Sequence, residues 1–171
     1  HILSKNFNPN HKILKNALYL LGRNKRIRVS FINFLKKSEK YLNHKGSRRD
    51  EIIGPIVDAL HDDYDTYTKL ISNRLKIKFF YRSKISREFL LSSNKKPSHV
   101  WEPQTTKLLV YLSKNLNNDV LIGGAYFGDQ AILISKNLYL RNATIHCFEP
   151  NLEQNKMLRN NIKINRIKNI K

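Results

Sequence analysis

Apolar side chains in the first half of the chain recur every three or four residues, the spacing of helices with one buried face. This spacing predicts four helices, over residues 12–22, 26–43, 49–61 and 64–80, and a shorter helical segment over 85–91. Gly54 and Pro55 lie inside the third helix. Because proline interrupts the backbone hydrogen bonds of a helix, we expect this helix to bend or restart there. Residues 1–96 are therefore predicted to form an all-helical region.

The pattern changes after the polar run 92–98, which is the predicted linker. Beyond it, short apolar runs alternate with helical segments: residues 101–106 lead into a helix that ends at about 115, strands follow over 119–123 and 144–148, helices over 128–137 and 151–164, and the approach to a third strand at 168–171. Such alternation is typical of a parallel sheet covered by helices. The predicted fold class is α/β, with a partial doubly wound, Rossmann-like sheet. The predicted domains are residues 1–96 and residues 97–171, the latter being the first half of a domain that continues in a longer protein.

Hydrophobic residues make up 40% of the chain, enough for a core. No apolar stretch approaches the roughly 18 residues of a membrane-spanning helix, so we expect no membrane span. The single cysteine, Cys147, excludes an internal disulfide framework and fits a reducing compartment, which predicts a cytoplasmic location. Since Cys147 lies within an apolar run, we expect a packed and unreactive thiol.

The formal net charge of +19 is concentrated in the first half. Residues 1–96 hold 22 Lys and Arg against 8 Asp and Glu, and residues 97–171 hold 10 against 5. A basic surface attracts nucleic acids, anionic membranes or acidic substrates. However, Lys, Asn and Ile are over-used along the whole chain, and residues 1–96 show no interleaving of basic and aromatic positions. A general compositional bias is therefore favoured over a dedicated nucleic-acid surface.

Candidate chemistry is concentrated where the two predicted strands end. The first strand runs into a glycine-rich turn, Gly124 to Gly128, and the second ends at Glu149. Tyr126 occupies the place of the second glycine of a dinucleotide fingerprint, which argues against a pyrophosphate there. A Gly-Ala-x-x-Gly turn still directs backbone N–H groups toward a ligand and suits a nucleoside that carries a carboxylate. The Glu149 carboxylate is placed to accept both hydroxyls of a ribose.

Three segments in this order resemble the FkbM-type family of S-adenosylmethionine-dependent methyltransferases. They are Gly124-Ala-Tyr-Phe-Gly128, Phe148-Glu-Pro-Asn151 and Leu158-Arg-Asn-Asn-Ile-Lys-Ile-Asn165. The resemblance covers residues 100–171 and implies S-adenosylmethionine as cofactor. It also implies transfer of a methyl group, with the hydroxyl of a sugar, a glycan or a small molecule as the expected acceptor.

The resemblance implies a set of cofactor-binding residues. Gly124, Ala125 and Gly128 would line the methionine half of the cofactor, Glu149 would hold its ribose, and Pro150 with Asn151 would shape the wall near the adenine. The complete predicted set is Gly123, Gly124, Ala125, Phe127, Gly128, Asp129, Glu149, Pro150, Asn151, Gln104 and Thr105. No catalytic residue and no metal ligand is predicted.

One position departs from the family pattern. The family usually carries an aspartate two residues before the first glycine of the turn, where this chain has Ile122. That aspartate commonly helps to hold the amino-acid end of the cofactor. Two substitutes are available: Asp129 at the start of the following helix, and Glu102 with Gln104 in the preceding segment. The alternative is that cofactor binding is impaired.

The sequence is also compatible with other interpretations. The acceptor could be RNA held by the basic helices, or the chain could be a non-catalytic protein that retains the fold, and a homo-oligomer is compatible with either. Gly124 and Gly128 could form a plain strand-to-helix turn, and Asp129 could be a first-turn residue favoured by the helix dipole. The run Asp62-Asp63-x-Asp65 lacks the glycine and the distal glutamate of a calcium loop, so it is predicted to be a solvated helix start.

Overall fold

The computed structural model describes residues 12–72, 74–81, 84–92 and 100–171. These residues form a mixed α/β structure with seven α-helices and two small sheets. The helices are α1 (Lys12–Arg23), α2 (Lys25–Ser38), α3 (Gly54–Ala59), α4 (Lys84–Leu91), α5 (Pro103–Ser113), α6 (Asp129–Tyr139) and α7 (Leu152–Ile164). The strands are β1 (Thr66–Leu70), β2 (Lys76–Phe80), β3 (Val120–Gly123) and β4 (Ile145–Phe148).

The chain divides into two compact units. The first contains the described residues up to Asp65 together with Tyr81–Arg87, and the second contains Thr66–Phe80 and the described residues from Glu88 onward. The sequence-based domain boundary, between residues 96 and 97, lies outside the described residues. The predicted linker also lies outside them, except for Ser92.

The first unit is built from α1, α2 and α3 around a core of Ile32, Leu35, Ile53, Val57 and Leu60. Helix α2 ends at Ser38, earlier than predicted, and continues as a 3-10 turn over Glu39–Tyr41. The third predicted helix begins as a π-helical turn and restarts as α3 at Gly54 and Pro55, which confirms the expected interruption. The helical periodicity over residues 12–60 therefore agrees with the structure, but the longest predicted helix, α2, is shorter than expected.

The acidic run at residues 62–65 does not begin a helix, so that prediction is wrong. Asp65 accepts two hydrogen bonds from the Arg28 guanidinium, at 2.6 and 3.1 Å, and one from the Asp62 backbone N–H at 2.9 Å. The Asp62 carboxylate accepts a further bond from the Tyr64 backbone N–H at 3.0 Å. These short acidic side chains bond to nearby backbone groups, which favours a turn over a helix.

The prediction of a fourth helix over residues 64–80 is also wrong. These residues contain β1 and β2, which pair antiparallel with Thr66 opposite Phe80 and Leu70 opposite Lys76. Ile77, Phe79 and Tyr81 are buried at a spacing of two residues. Lys76, which lies between Ile77 and the turn of the hairpin, is exposed. A spacing of two is the period of a strand. The prediction of an all-helical region over residues 1–96 is therefore corrected to helices with a β-hairpin.

The second unit contains the parallel pair. β3 and β4 run side by side with Val120 opposite Ile145 and Gly123 opposite Phe148, and α6 connects them. Beyond α7, Ile170 forms a parallel bridge to Ile145 on the opposite side of β4 from β3. The two strands and the approach to a third are thus confirmed, with boundaries within one residue of the predicted ones.

A cluster of three aromatic rings fills the core between the hairpin, α4 and the turn after β3. The ring centroids of Phe79 and Phe127 are 5.7 Å apart, those of Phe89 and Phe127 are 5.5 Å apart, and those of Phe79 and Phe89 are 5.9 Å apart. These separations lie in the range in which aromatic pairs attract one another beyond simple burial. The hairpin therefore belongs to the core of the second unit. Among the described helices, none has the length and apolar character needed to cross a membrane.

Candidate functional site

The turn between β3 and α6 is held in an unusual backbone conformation. Gly124, Tyr126 and Gly128 all have positive φ angles, of 70°, 51° and 87°. The N–H groups of Gly124 and Ala125 both donate to the carbonyl oxygen of Phe148 at the end of β4, at 2.9 and 3.1 Å. The turn is therefore fastened to the carboxyl end of the neighbouring strand, where ligands bind in open α/β sheets.

The glycines of this region have two different surroundings. A Cβ atom added at Gly128 would lie 2.3 Å from the Leu158 Cδ1 on α7, so this glycine permits close packing of the turn against that helix. A Cβ atom added at Gly123 or Gly124 would meet no atom within 4 Å. Gly128 thus serves the fold, whereas Gly123 and Gly124 border open space into which a ligand could fit.

Glu149 is bonded directly to the turn. One carboxylate oxygen accepts a hydrogen bond from the Tyr126 backbone N–H at 2.7 Å, and the other accepts one from the Asn151 backbone N–H at 2.9 Å. The turn and the strand-end carboxylate that the sequence predicts to converge are therefore in direct contact. Because each carboxylate oxygen accepts up to about two hydrogen bonds, Glu149 retains acceptor capacity for ligand hydroxyls.

Two further acidic residues are associated with the turn. Asp129 is the first residue of α6, and burial raises the pKa of its carboxyl to about 6, with a smaller contribution from the negative charge of Glu102. Hydrogen bonds from the backbone N–H groups of Asp129 and Gln130 oppose this rise. Glu102 has a positive φ of 43° and directly precedes α5. Ile122 lies half-buried within β3.

The other predicted site residues are distributed unevenly around the turn. Ala125 is buried, and the Phe127 ring lies in the aromatic core, so Phe127 presents only its backbone to the turn. The Asn151 side chain caps α7 by accepting bonds from the N–H groups of Glu153 and Gln154, both at 3.1 Å, and Pro150 is exposed.

Gln104 and Thr105 are exposed in the first turn of α5, a helix that packs against α6. The neighbouring Thr106 is buried and donates a hydrogen bond to the Trp101 carbonyl at 3.0 Å, which ties the start of α5 to the residue that precedes Glu102. The sequence singled out Gln104 and Thr105, but the buried contact at this helix start belongs to Thr106.

Sequence reasoning also missed the role of Asn161. This residue of α7 is fully buried, and its side chain donates to the Phe127 carbonyl at 2.8 Å. It also bonds to both backbone groups of Lys78 in β2. The available signal is the spacing of Asn161 and Asn165, four residues apart on one face of a helix.

Other reactive side chains of the second unit lie outside this site. Burial raises the pKa of the Cys147 thiol to about 11, which disfavours the thiolate and agrees with an unreactive residue. His146 contacts Asp119, with 3.0 Å between Nε2 and Oδ2, and Asp119 precedes the opposite end of β3. Within the described ranges, no group of three or more His, Cys, Asp or Glu side chains is arranged to hold a metal ion.

Comparison of the chain with protein-family models, with curated proteins and with solved structures gives no match. The interpretation of this site therefore depends on its geometry and on the sequence motifs.

The different surroundings of the glycines predict a contrast between two substitutions. Gly128→Ala forces a side chain into a left-handed conformation and against Leu158, so we expect the free energy of unfolding to fall by about 2–4 kcal/mol. Gly123→Ala adds a methyl group in open space without a positive φ, so we expect a change within about 0.5 kcal/mol. Denaturant unfolding of the two variants tests this contrast, and equal losses would show that the space beside Gly123 is not open.

Proposed function

We propose that this chain binds S-adenosylmethionine and belongs to a methyltransferase that acts on a hydroxyl group of a sugar, a glycan or a small molecule. The observation that carries this proposal is the bond between Glu149 and the Tyr126 N–H, beside the open space at Gly123 and Gly124. A carboxylate with spare acceptor capacity suits the ribose of an adenosyl ligand, and the glycine backbone beside it leaves room for the rest of the ligand.

The arrangement of the second unit supports the same interpretation. The order β3, α6, β4, α7 and then a parallel bridge at Ile170 is compatible with the first half of a doubly wound sheet. In such sheets the ligand lies beyond the carboxyl ends of the strands. The candidate site lies at that edge, since β3 ends at Gly123 and β4 ends at Phe148.

The residues present support two parts of this proposal, the ribose and the amino-acid end of the cofactor. Side chains at positions 123 and 124 would occupy the open space beside the backbone, and the two glycines leave that space for part of the ligand. Glu149 has acceptor capacity left for the two ribose hydroxyls. Asp129 and Glu102 provide negative charge for the ammonium group of the methionine end, where Ile122 offers none. We therefore propose that Asp129 replaces the aspartate that the family pattern places at position 122.

Bound S-adenosylmethionine supplies a methyl group attached to a positively charged sulfur. The residues of this chain would contribute by fixing that ligand: Glu149 would hold the ribose end, and Asp129 would hold the amino-acid end beside the turn. Orientation of this kind lowers the barrier because the acceptor oxygen must approach in line with the bond that breaks. The acceptor hydroxyl loses its proton to a general base, and we assign no residue to that role.

A second candidate function is suggested by Ile122 alone. A protein that retains the fold without binding the cofactor would have no need of an acidic group at this position. S-adenosylhomocysteine, the product of methyl transfer, separates the two possibilities in isothermal titration calorimetry. Saturable binding supports the methyltransferase, whereas heats indistinguishable from dilution at all concentrations support the non-catalytic protein.

Glu149→Ala provides the sharper test within the binding hypothesis. Removal of the carboxylate leaves ribose hydroxyls and the Tyr126 N–H without an acceptor, so we expect S-adenosylhomocysteine binding to weaken by about 1–3 kcal/mol in calorimetry. Asp119→Ala is the matched control, because Asp119 is also a carboxylate that accepts a backbone N–H, from Thr144 at 2.8 Å, but next to the opposite end of β3.

The control variant should bind the ligand as the unchanged protein does. Thermal unfolding of both variants shows whether the turn itself has loosened. An unchanged dissociation constant in Glu149→Ala would remove Glu149 from the site, and an equal loss in Asp119→Ala would show that the effect is not local.

The raised pKa of Asp129 predicts a pH dependence of binding. At pH 5 the carboxyl is mostly protonated and neutral, and above its pKa of about 6 it becomes the anion that attracts the ligand ammonium. Affinity for S-adenosylhomocysteine should therefore rise by about five- to tenfold between pH 5 and pH 7.5. Asp129→Asn should remove most of this rise while Glu102, the charged neighbour, is kept. The same pH profile in Asp129→Asn as in the unchanged protein would contradict the assignment.

A further inference from the structure

Asn161 is the most completely bonded buried polar side chain beside the turn. It is 0% exposed, and its carboxamide makes three hydrogen bonds. Its oxygen accepts from the Lys78 backbone N–H at 2.7 Å, and its nitrogen donates to the Lys78 carbonyl at 2.7 Å and to the Phe127 carbonyl at 2.8 Å. Both donors of the amide group and its acceptor are thus used, which fixes the orientation of the side chain.

Two of these bonds pair α7 with the edge of β2. A carboxamide that accepts from an N–H and donates to the carbonyl of the same residue reproduces the pairing that a neighbouring strand would offer. Asn165, one helical turn further along, does the same with Lys76, at 2.8 Å to its N–H and 2.6 Å to its carbonyl. In both asparagines these bonds hold the hairpin against α7, and they require no further role.

The third bond distinguishes Asn161 from Asn165. Asn161 contacts the carbonyl of Phe127, which lies in the turn between the left-handed residues Tyr126 and Gly128. The remaining donor of Asn165 goes instead to the Asn161 carbonyl within the same helix, at 2.7 Å. The two residues therefore make equivalent bonds to the hairpin, but only Asn161 makes a bond to the turn.

The bond to Phe127 constrains the peptide that leads into α6. This turn places three residues in the left-handed region, a conformation that costs free energy for any residue with a side chain and so needs support from its surroundings. The Tyr126 N–H is held on one side by Glu149, and the Phe127 carbonyl is held on the other by Asn161. Without the second bond the peptide between Phe127 and Gly128 keeps only the bond from its own N–H to the Ala125 carbonyl, at 2.8 Å, and loses the restraint on its carbonyl.

We infer that Asn161 is a positioning residue for the ligand site and that it makes the hairpin part of that site. Strand β2 orients the Asn161 carboxamide, the carboxamide fixes the Phe127 carbonyl, and the fixed turn holds the Glu149 carboxylate in place through the Tyr126 N–H. This role rests on the function proposed above, because its effect is measured as affinity for an adenosyl ligand.

The test compares Asn161→Ala with Asn165→Ala, two identical substitutions that each remove a carboxamide bonded to β2. Calorimetry with S-adenosylhomocysteine is carried out well below the unfolding temperature of both variants. We expect at least a tenfold loss of affinity in Asn161→Ala and a change within twofold in Asn165→Ala. Equal losses in the two variants, or no loss in Asn161→Ala, would overturn the inference.

If Asn161→Ala does not fold, hydrogen exchange in the unchanged protein decides the question. Addition of S-adenosylhomocysteine should slow exchange of the Lys78 N–H several-fold, because that N–H is bonded to Asn161, and should leave the Lys76 N–H, which is bonded to Asn165, unaffected. An equal response of the two N–H groups, or no response at Lys78, would count against a positioning role.

A failure of the proposed function gives a different result. If the unchanged protein does not bind S-adenosylhomocysteine at all, the methyltransferase hypothesis falls, and the positioning role is judged on the turn alone. Exchange of the Tyr126 N–H should then be at least tenfold faster in Asn161→Ala than in Asn165→Ala. Equal exchange rates would show that Asn161 only docks the hairpin.

Discussion

The parallel register of β3 and β4 is the constraint on which the site depends. Gly123 lies opposite Phe148, so the two strands end at the same level and their following residues leave the sheet side by side. The turn after β3 is then fastened to the end of β4 by bonds to the Phe148 carbonyl and to Glu149. A shift of one residue in this register would turn the side chains to the other face and separate the turn from the carboxylate.

Most of this site could be predicted from the sequence because its signals are local. The strands are short apolar runs, the turn is marked by Gly124 and Gly128, and Glu149 follows directly after the second run. Convergence of the turn and Glu149 then follows from the parallel arrangement. The sequence could not distinguish the roles of the individual glycines. Only the structure shows that Gly128 packs against α7 and that Gly123 borders open space.

The errors have a physical explanation as well. Residues 64–80 contain apolar positions that satisfy both a helical spacing and the alternation of a strand, and the choice between them is made by burial against the rest of the unit. Phe79 is buried with Phe127, which lies 48 residues further along the chain, so no window around the hairpin contains the deciding contact. The bond between Asn161 and Lys78 spans 83 residues and is hidden from local reasoning for the same reason.

These observations change the description of the chain from two consecutive regions to an α/β unit that includes an earlier hairpin. The hairpin contributes Phe79 to the aromatic core and Lys78 to the bonds of Asn161, and both contacts lead to Phe127 in the turn. A piece of the chain that began at residue 97 would lack both supports. The site is therefore best understood as a turn held from three directions, by β4, by Glu149 and by α7 with its attached hairpin.

Amide NMR spectra recorded during titration with S-adenosylhomocysteine provide the decisive observation. If the adenosyl group binds between the turn and the end of β4, the largest shifts will occur at Gly123, Gly124, Tyr126 and Asn151, with much smaller shifts in the first unit. Shifts concentrated elsewhere, or spectra that do not change at saturating ligand, would contradict a nucleoside site at this edge of the sheet.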